Sequence, residues 1–201
     1  MHVTPSSAGK RHNGLFLLQF LRMPGTTGAV TPSSAGLAER MMEWLDLTNA
    51  KAVLEYGPGT GVFSEAFLAR RAPGTRFFMI ELNPKFVEIV RGRFPKETVY
   101  QDSLVNVRKL CDREGIDQVD CIFSGLPWAS FPKRLQTDIL DAMMTVLRPG
   151  GQFVTFAYIT GFWLPPGMHF RKNLDTYFSE VECSRTVWKN VPPAFVYRCR
   201  R

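Results

Sequence analysis

An acid followed by three alternating glycines is the stretch whose residue types and spacing best suit ligand chemistry. Glu55 ends a short apolar run within Val53–Ser64, and Gly57, Gly59 and Gly61 follow it at every second position. Glycine allows a tight turn and lets a ligand approach where a Cβ atom would clash. Because an apolar helical pattern begins directly afterwards, the stretch predicts the first βα unit of a nucleotide-binding α/β domain. A tight turn without a ligand would have the same composition.

Two further acids follow predicted strands. The run Arg76–Leu82 is largely apolar up to Glu81, and an acid at the tip of a second strand is where such domains bind ribose hydroxyls. Asp102 follows the next short strand, where a carboxylate can accept a hydrogen bond from an adenine amino group. We therefore predict that Glu81 and Asp102, with their neighbours Leu82 and Ser103, bind a nucleoside-containing cofactor.

The elements that must position these residues alternate between strands and helices. Two strand-like runs, Val181–Lys189 and Ala194–Cys199, end the chain, and Arg148–Gly151 is interpreted as the turn before the fifth strand. This order predicts an α/β, Rossmann-like fold, a doubly wound and mostly parallel sheet of seven strands with an antiparallel C-terminal hairpin. We assign residues 31–201 to this one domain.

Composition narrows the class of protein. The chain has 201 residues, of which 45% are hydrophobic and 21% charged, and a net charge of +7. The charge suggests an anionic partner such as nucleic acid, an acidic substrate or a membrane, or it serves solubility alone. The four cysteines lack C-x-x-C spacing, so we expect buried free thiols in a reducing cytoplasm and no metal site. No apolar run approaches the roughly 20 residues of a membrane span.

A basic and apolar segment precedes the predicted domain. Leu15–Leu21 is almost entirely apolar, and Lys10, Arg11 and Arg22 flank it. We predict a helical extension within residues 1–30 that lies in the headgroup region of an anionic bilayer, where each basic residue adds roughly 1 kcal/mol. A helix packed on the domain is the alternative.

A loop rich in small and hydroxyl residues joins this extension to the domain. It covers Pro24–Ser34 and precedes the glycine motif. We predict that it folds over the cofactor and contributes Thr31 and Ser33 to the binding site. A plain linker is the alternative.

Over residues 30–201 the sequence resembles the class I S-adenosylmethionine (SAM)-dependent methyltransferases. Its E-x-G-x-G-x-G pattern is similar to their first motif and differs from the dinucleotide fingerprint G-x-G-x-x-G. More narrowly it resembles the soluble bacterial phospholipid N-methyltransferases, on the stretches G-A-V-T-P-S-S at 28–34, L-E-Y-G-P-G-T-G-V-F-S at 54–64, I-E-L-N-P at 80–84, S-G-L-P-W at 124–128 and V-W-K-N-V-P-P-A-F-V-Y-R at 187–198. The resemblance implies SAM as cofactor, phosphatidylethanolamine or ornithine lipid as acceptor, and a cytoplasmic enzyme held peripherally on the inner face of the cell membrane by its N-terminal helix.

The resemblance also suggests which residues hold the acceptor amine. Main-chain carbonyls in Ser124–Leu126 would accept amine hydrogens, so Ser124 and Leu126 are candidate catalytic residues, and Ser124 is also a candidate cofactor contact. Tyr158 would contribute a hydroxyl, and Trp128 a cation–π contact with the amine. A plain core position is an equally good interpretation of Tyr158.

The anionic part of a lipid headgroup requires cations. His169, Arg171 and Lys172 follow an apolar loop that contains Phe162 and Trp163. Bases next to exposed aromatic residues suit a lipid at an interface, so we predict that these three bind the substrate. An ordinary charged surface is the alternative.

Two other hypotheses compete with a lipid enzyme. Ribosomal RNA adenine dimethylases share the fold, but their fourth-strand motif N-L-P-[YF] uses an asparagine to hold the adenine amine. Here Gly125 takes that position, and no extra helical RNA-binding domain follows the sheet. We therefore expect no nucleic-acid partner, although the basic charge would permit one. A SAM-binding protein without catalysis is the third hypothesis, and the sequence leaves the oligomeric state open.

Overall fold

The fold is built on one seven-stranded sheet, seen in a computed structural model that describes residues 34–201. Its strands are β1 (Ala52–Tyr56), β2 (Arg76–Glu81), β3 (Thr98–Gln101), β4 (Val119–Ser124), β5 (Leu147–Tyr158), β6 (Glu180–Cys183) and β7 (Ala194–Arg200). They lie in the order β3–β2–β1–β4–β5–β7–β6, and only β7 runs opposite to the others. The predicted mostly parallel sheet with an antiparallel C-terminal hairpin is confirmed.

Helices cover both faces of this sheet. They are α1 (Ala35–Met42), α2 (Val62–Leu68), α3 (Pro84–Arg93), α4 (Val107–Arg113), α5 (Lys133–Met144), α6 (Ile159–Phe162) and α7 (Pro165–Tyr177), with 3-10 turns at Leu104–Asn106 and Trp128–Ser130. Side chains alternate along a strand, so β1 buries Leu54 in one apolar cluster and Val53 in the other. The sheet therefore separates two cores, as a doubly wound fold requires.

The strand order reverses between β1 and β4. These strands are adjacent although β2 and β3 separate them along the chain, and the ladders place Tyr56 opposite both Ile80 and Ser124. The carboxyl ends of β1, β2 and β4 are therefore level. Open α/β sheets bind ligands outside the carboxyl ends of their strands at such a reversal.

The last strands differ in extent from the prediction. Strand β5 contains Arg148–Gly151, which was predicted as a turn, because this stretch pairs with the chain end: Gly150 N donates to Arg201 O (2.8 Å) and Arg201 N to Gly151 O (3.0 Å). Strand β6 ends at Cys183, well short of Lys189, and beyond it only an isolated bridge joins Val187 to Ala194.

The N-terminal predictions fall on residues 1–33, outside the described residues. They are the extension at 1–30, Thr31 and Ser33, and they stay predictions. Ser34 caps α1, since its Oγ accepts from Leu37 N (3.2 Å). Within residues 34–201, no helix has the length and apolar character needed to cross a membrane.

The cysteines agree only in part with the expectation of buried thiols. All four are free; Cys111, Cys121 and Cys199 are buried, but Cys183 is exposed. Cys183 ends the edge strand β6, where one face of the sheet meets solvent. No group of three or more potential ligands in the described part of the chain is placed to hold a metal ion.

Candidate active site

The glycine turn leaves β1 and enters α2 through three left-handed backbone positions. Gly57, Gly59 and Gly61 have φ angles of 67°, 56° and 85°. A Cβ atom on Gly57 would lie 2.2 Å from the Leu126 side chain, whereas a Cβ on Gly59 would meet no atom within 4 Å. The turn therefore packs closely against the segment after β4 at one end and leaves open space beside Gly59.

Glu55 is a fully buried carboxyl group beside this turn. The Ser64 hydroxyl donates to its Oε2 at 2.6 Å, and its Oε1 has no hydrogen-bond partner. Burial, with a smaller contribution from the charge of Glu81, raises the pKa of Glu55 from 4.5 to about 8, against the lowering effect of the Ser64 bond. The carboxyl is therefore mainly protonated at neutral pH.

Glu81 lies at the tip of β2 and closes the glycine turn. Its Oε2 accepts from Gly59 N (3.2 Å) and its Oε1 from Asn83 N (2.9 Å). Burial raises the pKa of this carboxyl, and the two main-chain donors oppose the shift. The next residue, Leu82, is half-buried. Glu81 thus lies at the end of β2, next to β1, with its carboxylate directly against Gly59.

Asp102 follows β3 and lies next to the end of β2. Its main-chain N donates to the Glu81 carbonyl (3.2 Å). Its Oδ1 accepts from Ser103 N (2.6 Å) and from the Asn106 side chain (2.7 Å). Asp102 and Ser103 are both half-buried, so they remain within reach of a ligand at the crevice. Asn106 orients the Asp102 carboxylate. No motif in the sequence marked Asn106 as part of the site.

The segment after β4 is held together by Ser124. Its fully buried Oγ accepts from Trp128 Nε1 (3.0 Å) and from Leu126 N (3.3 Å). The Ser124 carbonyl accepts from the Thr155 hydroxyl (3.2 Å), and the Leu126 carbonyl from Trp128 N (3.0 Å). Of the three carbonyls in Ser124–Leu126 that were predicted to accept amine hydrogens, those of Ser124 and Leu126 thus already accept one hydrogen bond each.

Gly125 has no room for a side chain. A Cβ atom there would lie 2.9 Å from the Gly57 carbonyl oxygen and 3.2 Å from the Phe63 ring. Its main-chain N donates to the Tyr56 carbonyl (3.1 Å). RNA adenine dimethylases have asparagine at this position. In this chain the close contact with the glycine turn leaves room only for glycine.

A small apolar pocket opens beside this segment, at the carboxyl end of β5. Its volume is about 140 Å³. It brings together Trp128 and Tyr158, and the other lining residues are Pro127, Ala129, Ser130, Phe156, Ala157, Thr160, Gly161, Phe162, Gly167, Phe170 and Tyr197. Trp128 is buried and stacks on Phe170, with ring centroids 5.3 Å apart. The lining contains aromatic rings and hydroxyls but no Asp, Glu, His, Lys or Arg.

The three predicted headgroup cations do not line this pocket. Arg171 is already engaged: its guanidinium contacts Asp175 (2.9 Å) and donates to the Val181 carbonyl (3.1 Å). His169 is half-buried beside Asn173 (3.3 Å), and Lys172 is exposed. Arg171 therefore has a structural role in joining α7 to β6. Among His169, Arg171 and Lys172, only Lys172 is an exposed cation.

Comparison with known proteins identifies this arrangement. A family model described as a methyltransferase domain matches residues 53–151. The O-methyltransferase TomG from Streptomyces achromogenes, solved with SAM, has a TM-score of 0.64 and 17% identity, over 100% of this chain and 92% of that one. An O-methyltransferase from Bacillus cereus, solved with S-adenosylhomocysteine (SAH), has a TM-score of 0.64 and 14% identity, over 99% and 93%. The fold is that of a class I methyltransferase, whose cofactor is S-adenosyl-L-methionine.

A curated relative narrows the assignment. Ornithine lipid N-methyltransferase from Singulisphaera acidiphila is 32% identical over 190 residues, which is 92% of this chain and 94% of that protein. The chain therefore belongs to the same family as this ornithine lipid N-methyltransferase.

The residues of the crevice fit the cofactor of this class. Open space beside Gly59 admits a ligand next to the Glu81 carboxylate, and the unpartnered Oε1 of buried Glu55 is a polar group that the protein alone leaves unsatisfied. Sequence reasoning had selected Glu55, the glycines, Glu81 and Asp102. It missed Ser64 and Thr155, whose hydroxyls support these elements from neighbouring strands and helices and carry no motif of their own.

Proposed function

We propose that this methyltransferase transfers a methyl group from SAM to the amino group of a lipid headgroup at an anionic membrane surface. Ornithine lipid is the first candidate acceptor and phosphatidylethanolamine the second. The observation that carries the proposal is the pocket at the end of β5, which has aromatic walls and no ionisable acid or base other than tyrosine. The curated relative, an ornithine lipid N-methyltransferase, supports the same acceptor class.

The pocket supports a reaction in which the apolar environment, and not a general base, makes the lipid ammonium lose its proton. Bound SAM supplies a methyl group already activated on a sulfonium. A lipid ammonium must first lose a proton, and an apolar pocket disfavours its charged form. The neutral amine would then be the nucleophile for the methyl group that SAM supplies, with S-adenosylhomocysteine as the leaving group. The proton lost by the ammonium on entry and the one lost by the methylated ammonium would both pass to solvent. Positioning of the amine in line with the breaking bond contributes roughly 7–11 kcal/mol.

Tyr158 and Trp128 have different tasks in this scheme. Burial raises the pKa of Tyr158, so its phenol stays protonated at neutral pH and orients the amine through a hydrogen bond without acting as a base. The Trp128 ring, fixed by its bond to Ser124, forms a wall of the pocket. The Ser124 and Leu126 carbonyls would accept a hydrogen bond from the amine in addition to those from Thr155 and Trp128. Lys172 is the exposed cation for the lipid carboxylate or phosphate.

The structure gives a specific reason to prefer lipid over RNA as acceptor. Adenine dimethylation in the related RNA enzymes relies on an asparagine at the position of Gly125. A side chain there would collide with the Gly57 carbonyl oxygen, so this chain does not accommodate that base-binding amide without moving the cofactor turn. RNA methylation is therefore the alternative that the experiment has to exclude.

Methyl transfer to defined acceptors tests the proposal. The full-length protein is incubated with methyl-labelled SAM and, in separate reactions, detergent-dispersed ornithine lipid, phosphatidylethanolamine or total RNA, followed by chromatography. We expect label in an aminolipid, and none with Glu81→Ala, which removes the carboxylate beside Gly59. Labelled RNA with unlabelled lipids would establish the alternative. Tight SAM binding without any product would indicate a binding protein.

A further inference from the structure

Most of the strongly exposed large apolar side chains in the described structure fall in two short segments. Trp163 is 77% exposed and is followed by exposed Leu164 and Met168, whereas Trp188 is 73% exposed and is followed by exposed Val191. We call these two segments, 163–168 and 188–191, the apolar rim. Single exposed apolar residues are ordinary, but two exposed tryptophans in such a group mark an interaction surface.

The two segments of the rim are neighbours at the end of β5. Tyr158 pairs with Ala194, and Ile159 N donates to the Pro193 carbonyl (3.0 Å), which joins the start of α6 to the segment after Val191. Gly161 and Gly167 pack so closely that a Cβ on Gly167 would lie 2.2 Å from the Gly161 carbonyl oxygen. Because Tyr158, Gly161 and Gly167 also line the apolar pocket, the rim lies beside it.

Along the chain, the charged residues within and next to the two rim segments are basic. No acidic residue occurs in Ile159–Leu174 or in Ser184–Arg201. Lys172, Arg185 and Lys189 are exposed in these same stretches. Basic residues beside exposed aromatic residues match an anionic bilayer surface, where tryptophan prefers the headgroup level.

The chain that precedes the described residues joins the domain at this rim. Ser34 N donates to the side chain of Asn190 (2.9 Å), and Asn190 is buried between Trp188 and Val191 along the chain. The basic, apolar stretch at 13–22 ends twelve residues before Ser34. A link of that length spans at most roughly 40 Å. The chain that carries the predicted membrane segment therefore enters the described domain at the rim.

We propose that the apolar rim is a second membrane-docking surface, which rests on an anionic bilayer with the pocket turned toward the lipid headgroups. This inference rests on the proposed lipid acceptor. Trp163 and Trp188 enter the headgroup layer, and Lys172 and Lys189 contact its anionic lipids. The rim and the N-terminal segment then bind the same surface together, so that each raises the effective concentration of the other at the membrane.

Vesicle partitioning of the full-length protein tests the rim. The vesicles contain phosphatidylcholine with roughly one-third phosphatidylglycerol. We expect Trp163→Ala/Trp188→Ala to lower the partition coefficient about tenfold or more. The matched control is Ile89→Ala, since Ile89 is a large apolar residue on α3, away from the rim, and 43% exposed. Equal partitioning of the double variant and the wild-type protein would overturn the proposal. If the double variant lost self-association but still bound vesicles like the wild-type protein, the rim would be a contact between copies of the chain and the proposal would also fail.

Two further readouts separate the rim from the proposed reaction. Brominated phosphatidylcholine should quench the fluorescence of the wild-type protein but much less that of the double variant, because Trp128 is buried and Trp44 is half-buried. Absence of quenching in the wild-type protein would refute membrane insertion of the rim. Methylation of detergent-dispersed aminolipid should be retained in the double variant. If the wild-type protein methylates no aminolipid even in detergent, the acceptor proposal fails, while partitioning and quenching still decide whether the rim binds membranes.

Discussion

Replacement of Glu55 by glutamine isolates the energetic cost of burying an acid beside the cofactor turn. The Glu55 carboxyl is completely buried, receives one hydrogen bond from Ser64, and has one oxygen without a partner. Glutamine has nearly the same shape and cannot ionise. Any fixed penalty of the amide is present at every pH, so only the ionisation of Glu55 makes the stability difference between the two proteins depend on pH.

The sign and size of that dependence follow from the raised pKa. Since burial raises the pKa of Glu55 from 4.5 to about 8, the folded protein binds more protons than the unfolded chain between these values. Wild-type stability therefore falls as pH rises through this window. The full change corresponds to roughly 5 kcal/mol, of which about 3 kcal/mol lies between about pH 5.5 and about pH 8.5.

Urea unfolding at these two pH values measures the effect. We expect Glu55→Gln to gain about 3 kcal/mol relative to the wild-type protein on going from the lower to the higher pH. Glu65→Gln, at an exposed glutamate on α2, is the matched control for the exchange of a carboxyl for an amide. A difference between Glu55→Gln and the wild-type protein that is the same at both pH values would refute a protonated, buried Glu55.

Two further substitutions test the segment after β4. Gly125→Asn should lower the free energy of unfolding in urea by about 1–3 kcal/mol and weaken SAM binding in calorimetry, because its Cβ meets the Gly57 carbonyl oxygen at 2.9 Å. The control is Gly92→Ala, which has no atom near its Cβ and should be neutral or stabilising. Unchanged SAM affinity in Gly125→Asn would contradict the contact. Trp128→Phe should cost about 1–3 kcal/mol through loss of the bond to Ser124 and should raise KM for the lipid while leaving the Kd for SAM unchanged. Wild-type stability and KM in Trp128→Phe would show that the indole bond does not shape the pocket.

Local patterns predicted the sheet and the cofactor crevice because each signal is contained in one βα unit. The acid, the three glycines and the following helix lie within Val53–Ser64, and a parallel sheet brings the next strand ends to the same edge. Glu81 and Asp102 reach the crevice for that reason alone. The sequence could therefore place them without knowledge of any long-range contact.

Contacts between distant segments were beyond this reasoning. Arg171 appeared as a free cation although Asp175, four residues later on the same helix, is one of its partners. Its contact with the Val181 carbonyl depends on how α7 lies against β6 and has no sequence signal. The turn predicted at Arg148–Gly151 became part of β5 because it pairs with Arg201 at the chain end. The link between Ser34 and Asn190 spans 156 positions, so the relation of the N-terminal segment to the rim was equally hidden.

The lipid and RNA hypotheses differ most clearly at one backbone position. Gly125 packs on the carbonyl oxygen of Gly57, so the glycine turn is in direct contact with the segment after β4. An asparagine there would supply a polar holder for a base, whereas glycine leaves the apolar walls around Trp128 and Tyr158 as the main recognition surface. Such walls select for an amine that loses its charge on entry. They lack the asparagine amide that reads the adenine edge in the RNA enzymes, and this difference is the physical argument behind the proposed lipid amine acceptor.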